Sequence, residues 1–109
     1  MSESDAVLVY VTVGDSDAAV SIARALVDER LAASANIIDG VHSIYRWRGA
    51  VEAADEAVLV LKTRRAHLEA LTARVRALHA YDCPCVVALP IVGGNPAYLD
   101  WIAAETSDD

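Results

Sequence analysis

The stretch that decides the fold is residues 6–31, AVLVYVTVGDSDAAVSIARALVDERL, because its hydrophobic pattern changes from that of a strand to that of a helix. Residues Ala6 to Val13 are rich in β-branched and aromatic side chains, which predicts a central strand buried on both faces. Residues 14–17 predict a turn with several possible helix N-caps. From Asp17 to Leu31 the apolar side chains recur at helical spacing, which predicts the first helix.

Residues 41–61 have the pattern of a long antiparallel hairpin. Side chains along VHSIYRW, residues 41–47, alternate between two faces, and Gly40 in front of them could carry a bulge or bend. Arg48-Gly49-Ala50 predicts the turn, and the return strand starts near Val51 and becomes firmly apolar at residues 57–61. A hairpin of this length extends past a small domain's own sheet. Its edges must therefore be paired or covered, most economically by a second subunit.

The second half of the chain predicts two further helices and one strand. Thr63 is predicted to cap a helix from Arg64 to His79, and a short apolar strand follows from Cys85 to Leu89. A last short helix is predicted to begin after Asn95 and to end near Thr106.

The predicted element order, β-α-β-β-α-β, is that of the ferredoxin-like α+β sandwich, with an antiparallel sheet and both main helices on one face. We predict a single domain over residues 6–106 with a long hairpin between its second and third strands and a short C-terminal helix. The polar ends, residues 1–5 and 107–109, are predicted to be disordered tails.

Composition narrows the functional classes. The hydrophobic share of 55% excludes a disordered chain and indicates burial of apolar surface against another subunit. A net charge of −7 argues against binding to a phosphate backbone, so no nucleic-acid partner is expected. The N-terminal residues lack the order of a signal peptide, and no apolar run is long enough to span a bilayer, so the expected location is the cytoplasm.

Five short motifs, in the right order, carry a family resemblance. They are RLAASAN at 30–36, SIYRWRG at 43–49 with Lys62-Thr63 after it, HAYDCP at 79–84, ALP at 88–90 and YLDWI at 98–102. Together they resemble the divalent-cation tolerance (CutA) family from about Leu8 to Thr106. The resemblance implies a tight homotrimer of ferredoxin-like subunits, with the long hairpins pairing between neighbours.

The same resemblance implies a role in tolerance or sensing of divalent metals, copper above all. It also implies a similarity to the PII signalling trimers, which bind small ligands in clefts between subunits. The chain departs from the family pattern at three positions. Ser34 stands where members often have Cys, Ala80 stands where Pro is usual, and Cys85 stands where Glu is usual.

Cys83 and Cys85, with His79 four residues before the first of them, form the best candidate metal site. Only Pro84 separates the thiols, and a disulfide between such close positions would be strained, so both are expected to be free. Thiolate and imidazole suit Cu(I) or Zn(II), and a neighbouring subunit could add ligands. The alternatives are that both cysteines act as small apolar residues and that His79 ends its helix.

Four further residues are candidates for an inter-subunit cleft or interface. Lys62, Tyr81 and Trp47 could line a PII-like cleft for a small anion or a partner protein, while Tyr45 and Trp47 suit interface anchors. The acidic residues of the return strand, including Glu56, are expected on a solvated face. No nucleophile, Walker or H-E-x-x-H motif is present, so no enzymatic activity is predicted.

Overall fold

The structure is a computed structural model that describes residues 5–107. Within that range the chain forms four strands and three α-helices. In chain order they are β1 Ala6–Val13, α1 Ser16–Asp28, β2 Ser34–Trp47, β3 Ala50–Arg64, α2 Leu68–Leu78, β4 Val86–Pro90 and α3 Pro96–Glu105, with a 3₁₀ turn at Arg65–His67 before α2. Residues 1–4 and 108–109 lie outside the described residues, so the predicted disordered tails remain a prediction.

The strands form one antiparallel sheet in the order β2-β3-β1-β4. Val9 at the centre of β1 lies opposite Leu61 of β3 and Ala88 of β4. This topology confirms the predicted ferredoxin-like α+β fold, including the long β2–β3 hairpin and the short C-terminal helix.

Two helices cover one face of the sheet and form the core with it. Alternate residues of β1, from Val7 to Val13, and the β3 residues Leu59 and Leu61 face the buried sides of α1 and α2. Leu26 of α1 and Leu71 of α2 are completely buried there. A smaller cluster of Ala6, Ala33 and Ile102 anchors α3 at one end of the sheet.

The opposite face of the sheet remains largely uncovered in the single chain, and we call it the open face. It carries Leu8, Tyr10 and Thr12, the intervening residues of β1, which are only half-buried. The prediction that β1 is buried on both faces is therefore wrong for one subunit, because both covering helices pack on the same side. Val87 and Leu89 of β4 share the open face and are 54% and 58% exposed.

The hairpin follows the prediction closely. A β-bulge interrupts the pairing between Ile38 and Val41, and Gly40 in it has a φ of 69°. The turn residues Arg48 and Gly49 have φ values of 51° and 85°, as a two-residue type I′ turn requires. The hairpin makes the molecule elongated, at 48 × 25 × 23 Å, with a radius of gyration of 14.6 Å. A compact domain of this length would have a radius of about 13 Å.

Two helix boundaries differ from the prediction. α1 ends at Asp28 instead of Leu31, because Arg30 adopts a left-handed backbone with a φ of 62°. α2 begins at Leu68 and not at Arg64, because β3 pairs with β1 as far as Arg64. Thr63 is consequently a buried strand residue and not an N-cap.

Candidate functional site

A cleft of about 640 Å³ lies where the β2–β3 hairpin meets the α2–β4 loop, and we call it the hairpin cleft. Its aromatic wall consists of Tyr45, Trp47 and Tyr81. Cys83 and Cys85 also line it. Five of the seven residues predicted to form a site are therefore brought together in one place.

The sheet register explains why hairpin residues share this cleft. Tyr45 and Trp47 are two apart on β2 and lie opposite Glu52 and Ala50 of β3, so all four point to one side. Every second residue of β3 points to the same side, so Glu56 shares this side with Glu52, and the residues of β3 that follow at this spacing lie on the open face. The hairpin cleft is thus an extension of the open face, closed on its other side by the α2–β4 loop.

Glu56 is the buried acidic group of the cleft. It is only 8% exposed, and its Oε2 accepts a hydrogen bond of 2.9 Å from the hydroxyl of Tyr81. Within residues 5–107, Oε1 has no hydrogen-bond partner. The expectation that Glu56 lies on a solvated face is wrong, because the α2–β4 loop folds over this part of β3.

The neighbourhood of Glu56 changes the acidity of Tyr81. Burial raises the pKa of the Tyr81 phenol to about 12, with further contributions from the hydrogen bond to Glu56 and from its negative charge. The phenol therefore stays protonated at neutral pH and acts as a hydrogen-bond donor to the carboxylate.

His79 holds the α2–β4 loop in place. Its Nε2 donates to the carbonyl oxygen of Thr12 at 2.7 Å, and its Nδ1 accepts from the backbone N–H of Tyr81 at 3.0 Å. His79 is also the C-cap residue of α2, which agrees with the alternative prediction that it ends its helix. Both ring nitrogens are engaged, so a metal ion at His79 would have to displace one of these hydrogen bonds.

The two thiols are free. Cys83 is exposed and Cys85 is half-buried. In the part of the chain that the structure describes, no group of three or more His, Cys, Asp and Glu side chains is arranged to hold a metal ion. A metal bound at Cys83 and Cys85 would therefore need ligands from water or from a second subunit.

Lys62 lies on the open face but outside the hairpin cleft. Its Nζ donates a hydrogen bond to Oδ1 of Asn36 on the neighbouring strand. It lies six positions along β3 from Glu56, which is about 20 Å along a strand. Within one chain, Lys62 is therefore not grouped with Tyr81 and Trp47.

Sequence reasoning did not identify Glu56, Asp82 and Arg48 as cleft residues. Glu56 could have been identified from its position directly before the apolar run at 57–61, four residues after Glu52, which places both on the same side of the strand. That position continues the face that carries Tyr45 and Trp47. Asp82 and Arg48 lie in a loop and a turn, where no periodic pattern indicates the direction of a side chain.

Comparison with known proteins identifies the family. The family described as CutA1 divalent ion tolerance protein matches residues 7–105, nearly the whole chain. The chain belongs to the CutA1 family. The divalent-cation tolerance protein CutA of Thermus thermophilus is 48% identical over 99 residues, covering 91% of this chain and 96% of that protein. The chloroplastic CutA of Arabidopsis thaliana is 46% identical over 100 residues, covering 92% of this chain and 55% of that protein.

Solved CutA1 structures share the fold of this chain. The Thermus thermophilus protein superimposes with a TM-score of 0.92 at 47% identity, covering 94% of this chain and 99% of that one. CutA1 from Oryza sativa gives a TM-score of 0.93 at 43% identity, with 98% of each chain covered. The chain spans just over half the length of the two plant CutA sequences that it matches.

The CutA1 family and its Thermus thermophilus member are named for tolerance of divalent ions, and these names describe no reaction. Within residues 5–107, no helix is both long enough and apolar enough to cross a membrane. Two of the three positions at which the chain departs from the CutA pattern, Ala80 and Cys85, line the hairpin cleft.

Proposed function

We propose that this protein is a cytoplasmic homotrimer that takes part in the response to divalent metal ions, copper above all. In this proposal it binds metal at Cys83 and Cys85. The observation that supports it best is that both free thiols line a single cleft with two carboxylates, Glu56 and Asp82, in a chain of the CutA1 family. The cytoplasm is consistent with two cysteines that remain reduced.

The chemistry of the cleft suits a soft or borderline metal ion. Thiolates prefer Cu(I) and Zn(II), and the nearby carboxylates favour any cation electrostatically. Two thiols per subunit do not complete the four-coordinate sphere of Zn(II). A trimer would supply the remaining ligands where a neighbouring subunit approaches the cleft.

The uncovered apolar surface supports the trimer. Ile38, Val87 and Leu89 are each more than half exposed on the open face. Within residues 5–107, the hairpin extends beyond the core and its outer strand edges have no partner strand. Pairing of hairpins between neighbours would satisfy those edges, and packing of the open faces would bury the apolar side chains.

The alternative of a PII-like signalling module with a small anionic ligand is less well supported by this cleft. Two carboxylates and one guanidinium, that of Arg48, line it, and Lys62 lies elsewhere in the same chain. This charge favours a cation over an anion.

The test is a titration of the fully reduced protein with Cu(I) against a competing chelator. The double variant Cys83→Ser, Cys85→Ser should bind Cu(I) more than about 100-fold more weakly. Removing a group that only orients a metal ligand costs up to about 100-fold in affinity, and removing the ligands themselves should cost more. Ser43→Ala, which also changes a residue lining the cleft, is the control and should bind as tightly as the wild type. Equal binding by the double variant and the wild type would contradict a site at these thiols.

A further inference from the structure

We propose that the hairpin cleft also receives the ammonium group of an alkylammonium ion, held between Glu56 and the aromatic wall. This binding is separate from metal binding at the thiols and goes beyond it. The occupant is either a free alkylamine or a lysine side chain, which has the same chemistry. Three features of the cleft carry the inference.

The first feature is the carboxylate of Glu56. It is more than nine-tenths buried, lines the cleft and has only Oε2 hydrogen-bonded, by Tyr81. No partner within residues 5–107 satisfies Oε1. In the part of the chain that the structure describes, Oε1 is also not among the fully buried side-chain atoms that lack a partner, so it opens into the cleft. A largely buried carboxylate with one oxygen open to a cleft favours a hydrogen-bonded cation there. An N–H of an ammonium group meets this need.

The second feature is the aromatic wall. In the single chain, Tyr45, Trp47 and Tyr81 are each about 40% exposed and face the same cleft as Glu56. Aromatic faces attract cations, and clusters of them with a carboxylate recognise ammonium groups. The guanidinium carbon of Arg48 already lies 5.3 Å from the centroid of the Trp47 ring, so a ring of this wall does hold a cation.

The third feature is shape and charge together. The cleft volume of about 640 Å³ lies in the range of small-ligand sites. Two carboxylates, those of Glu56 and Asp82, line it together with one cationic group, the guanidinium of Arg48. The lining therefore carries more negative than positive charge. An aliphatic chain would pack against the rings while its charged end reaches Glu56.

The sequence contains a single lysine side chain that could act as such an occupant. Lys62 is the only lysine in the 109-residue chain, and it lies about 20 Å along β3 from Glu56 of its own subunit. Only a second copy could bring it to the cleft. An assembled protein therefore presents either an empty cleft for a free alkylamine or a cleft filled by the neighbour's lysine.

The experiment uses n-butylammonium and its uncharged analogue n-butanol as probes. Binding is measured by calorimetry on the assembled, reduced, chelator-treated protein, and the indole N–H signal of Trp47 is followed by NMR. The wild type and Lys62→Ala are compared, each with Glu56→Gln as the site variant and Glu69→Gln, an exposed acidic residue on α2, as the control.

Butylammonium should bind at least about tenfold more tightly than butanol and shift the Trp47 signal. Binding to the wild type identifies a free alkylamine as the occupant, and binding to Lys62→Ala alone identifies the neighbour's lysine. Glu56→Gln should weaken binding about tenfold, whereas Glu69→Gln should not change it.

Equal affinity for butylammonium and butanol, or no binding to either protein, would overturn the inference. An indole N–H signal of Trp47 that does not shift when butylammonium is added would overturn it as well. This measurement uses the wild type and Lys62→Ala, so it tests the inference even if Glu56→Gln fails to fold. Repeating the titration in the Cys83→Ser, Cys85→Ser double variant separates this proposal from metal binding, because ammonium binding should survive there.

Discussion

At the scale of single residues, Tyr81 and His79 join three parts of the chain that are distant in sequence. His79 fastens the α2–β4 loop to the carbonyl oxygen of Thr12 at the end of β1, and Tyr81 fastens it to Glu56 on β3. The two rings also contact each other, with centroids 4.6 Å apart. Directed hydrogen bonds thus connect the cleft wall to β1 and β3.

The raised pKa of Tyr81 predicts a loss of stability in alkali. The unfolded phenol ionises near pH 10, whereas the folded one has a pKa of about 12. Over this window the folded state holds more protons than the unfolded state, so the free energy of unfolding falls as pH rises. At neutral pH, Tyr81→Phe should lower stability by roughly 1.5 kcal/mol, through loss of a hydrogen bond to a charged group.

Equilibrium unfolding at intervals between about pH 8 and pH 12 tests this prediction. Tyr81→Phe should flatten the alkaline decline, while the control Tyr98→Phe, on α3, should decline like the wild type. A decline that is equally steep in both variants would show that Tyr81 is not its source.

At the scale of elements, the β2–β3 hairpin positions most of the cleft. Its bulge at Gly40 shifts the β2 register by one residue, which places Val41, Ser43, Tyr45 and Trp47 on the side of Glu56. A bulge also increases the twist of a strand and bends it. The single glycine at this bulge thereby controls which side chains reach the site.

Gly40→Ala isolates the backbone requirement of the bulge. A Cβ at Gly40 meets no atom within 4 Å, so the cost arises only from its positive φ of 69°. We expect the free energy of unfolding to fall by roughly 1–2 kcal/mol. Gly93→Ala is the matched control, because its Cβ is equally free and its φ is not positive. It should leave stability unchanged or slightly raised. Equal effects of the two substitutions in chemical denaturation would refute the argument.

At the scale of the whole molecule, the single chain leaves too much apolar surface uncovered. The helices protect one face of the sheet, while the open face and the hairpin expose several large apolar side chains. An elongated hairpin cannot bury these residues against its own small core. The proposed trimer resolves this by having each subunit cover part of its neighbours.

Trp47 near the hairpin tip is the predicted anchor of the assembly. Trp47→Ala should shift the mass measured by light scattering from trimer towards monomer at low protein concentration, since truncation of a central aromatic anchor costs about 2 kcal/mol or more. Leu78→Ala is the control, because Leu78 is 38% exposed, close to the 41% of Trp47, but lies on α2. An unchanged mass for Trp47→Ala would contradict this role.

Local patterns in the sequence determined the element order, the hairpin turn at Arg48 and Gly49, the bulge at Gly40 and the cap at Asn95. Each of these depends on residues a few positions apart, so period and backbone preference suffice to predict it. The same reasoning failed at Thr63, which was predicted to be the N-cap of the second helix. Pairing with distant β1 kept that segment in the sheet.

The tertiary structure alone decided the composition of the cleft. Cys83, Cys85, Tyr45, Trp47 and Tyr81 could be nominated from the sequence, but their meeting with Glu56 depends on a loop that folds back across β3. Lys62 is separated from that group because it lies further along β3. This distance could be used only after the structure had shown where on β3 the cleft forms. Side chains far apart in sequence are brought together by the packing of whole elements, and no local pattern records that packing.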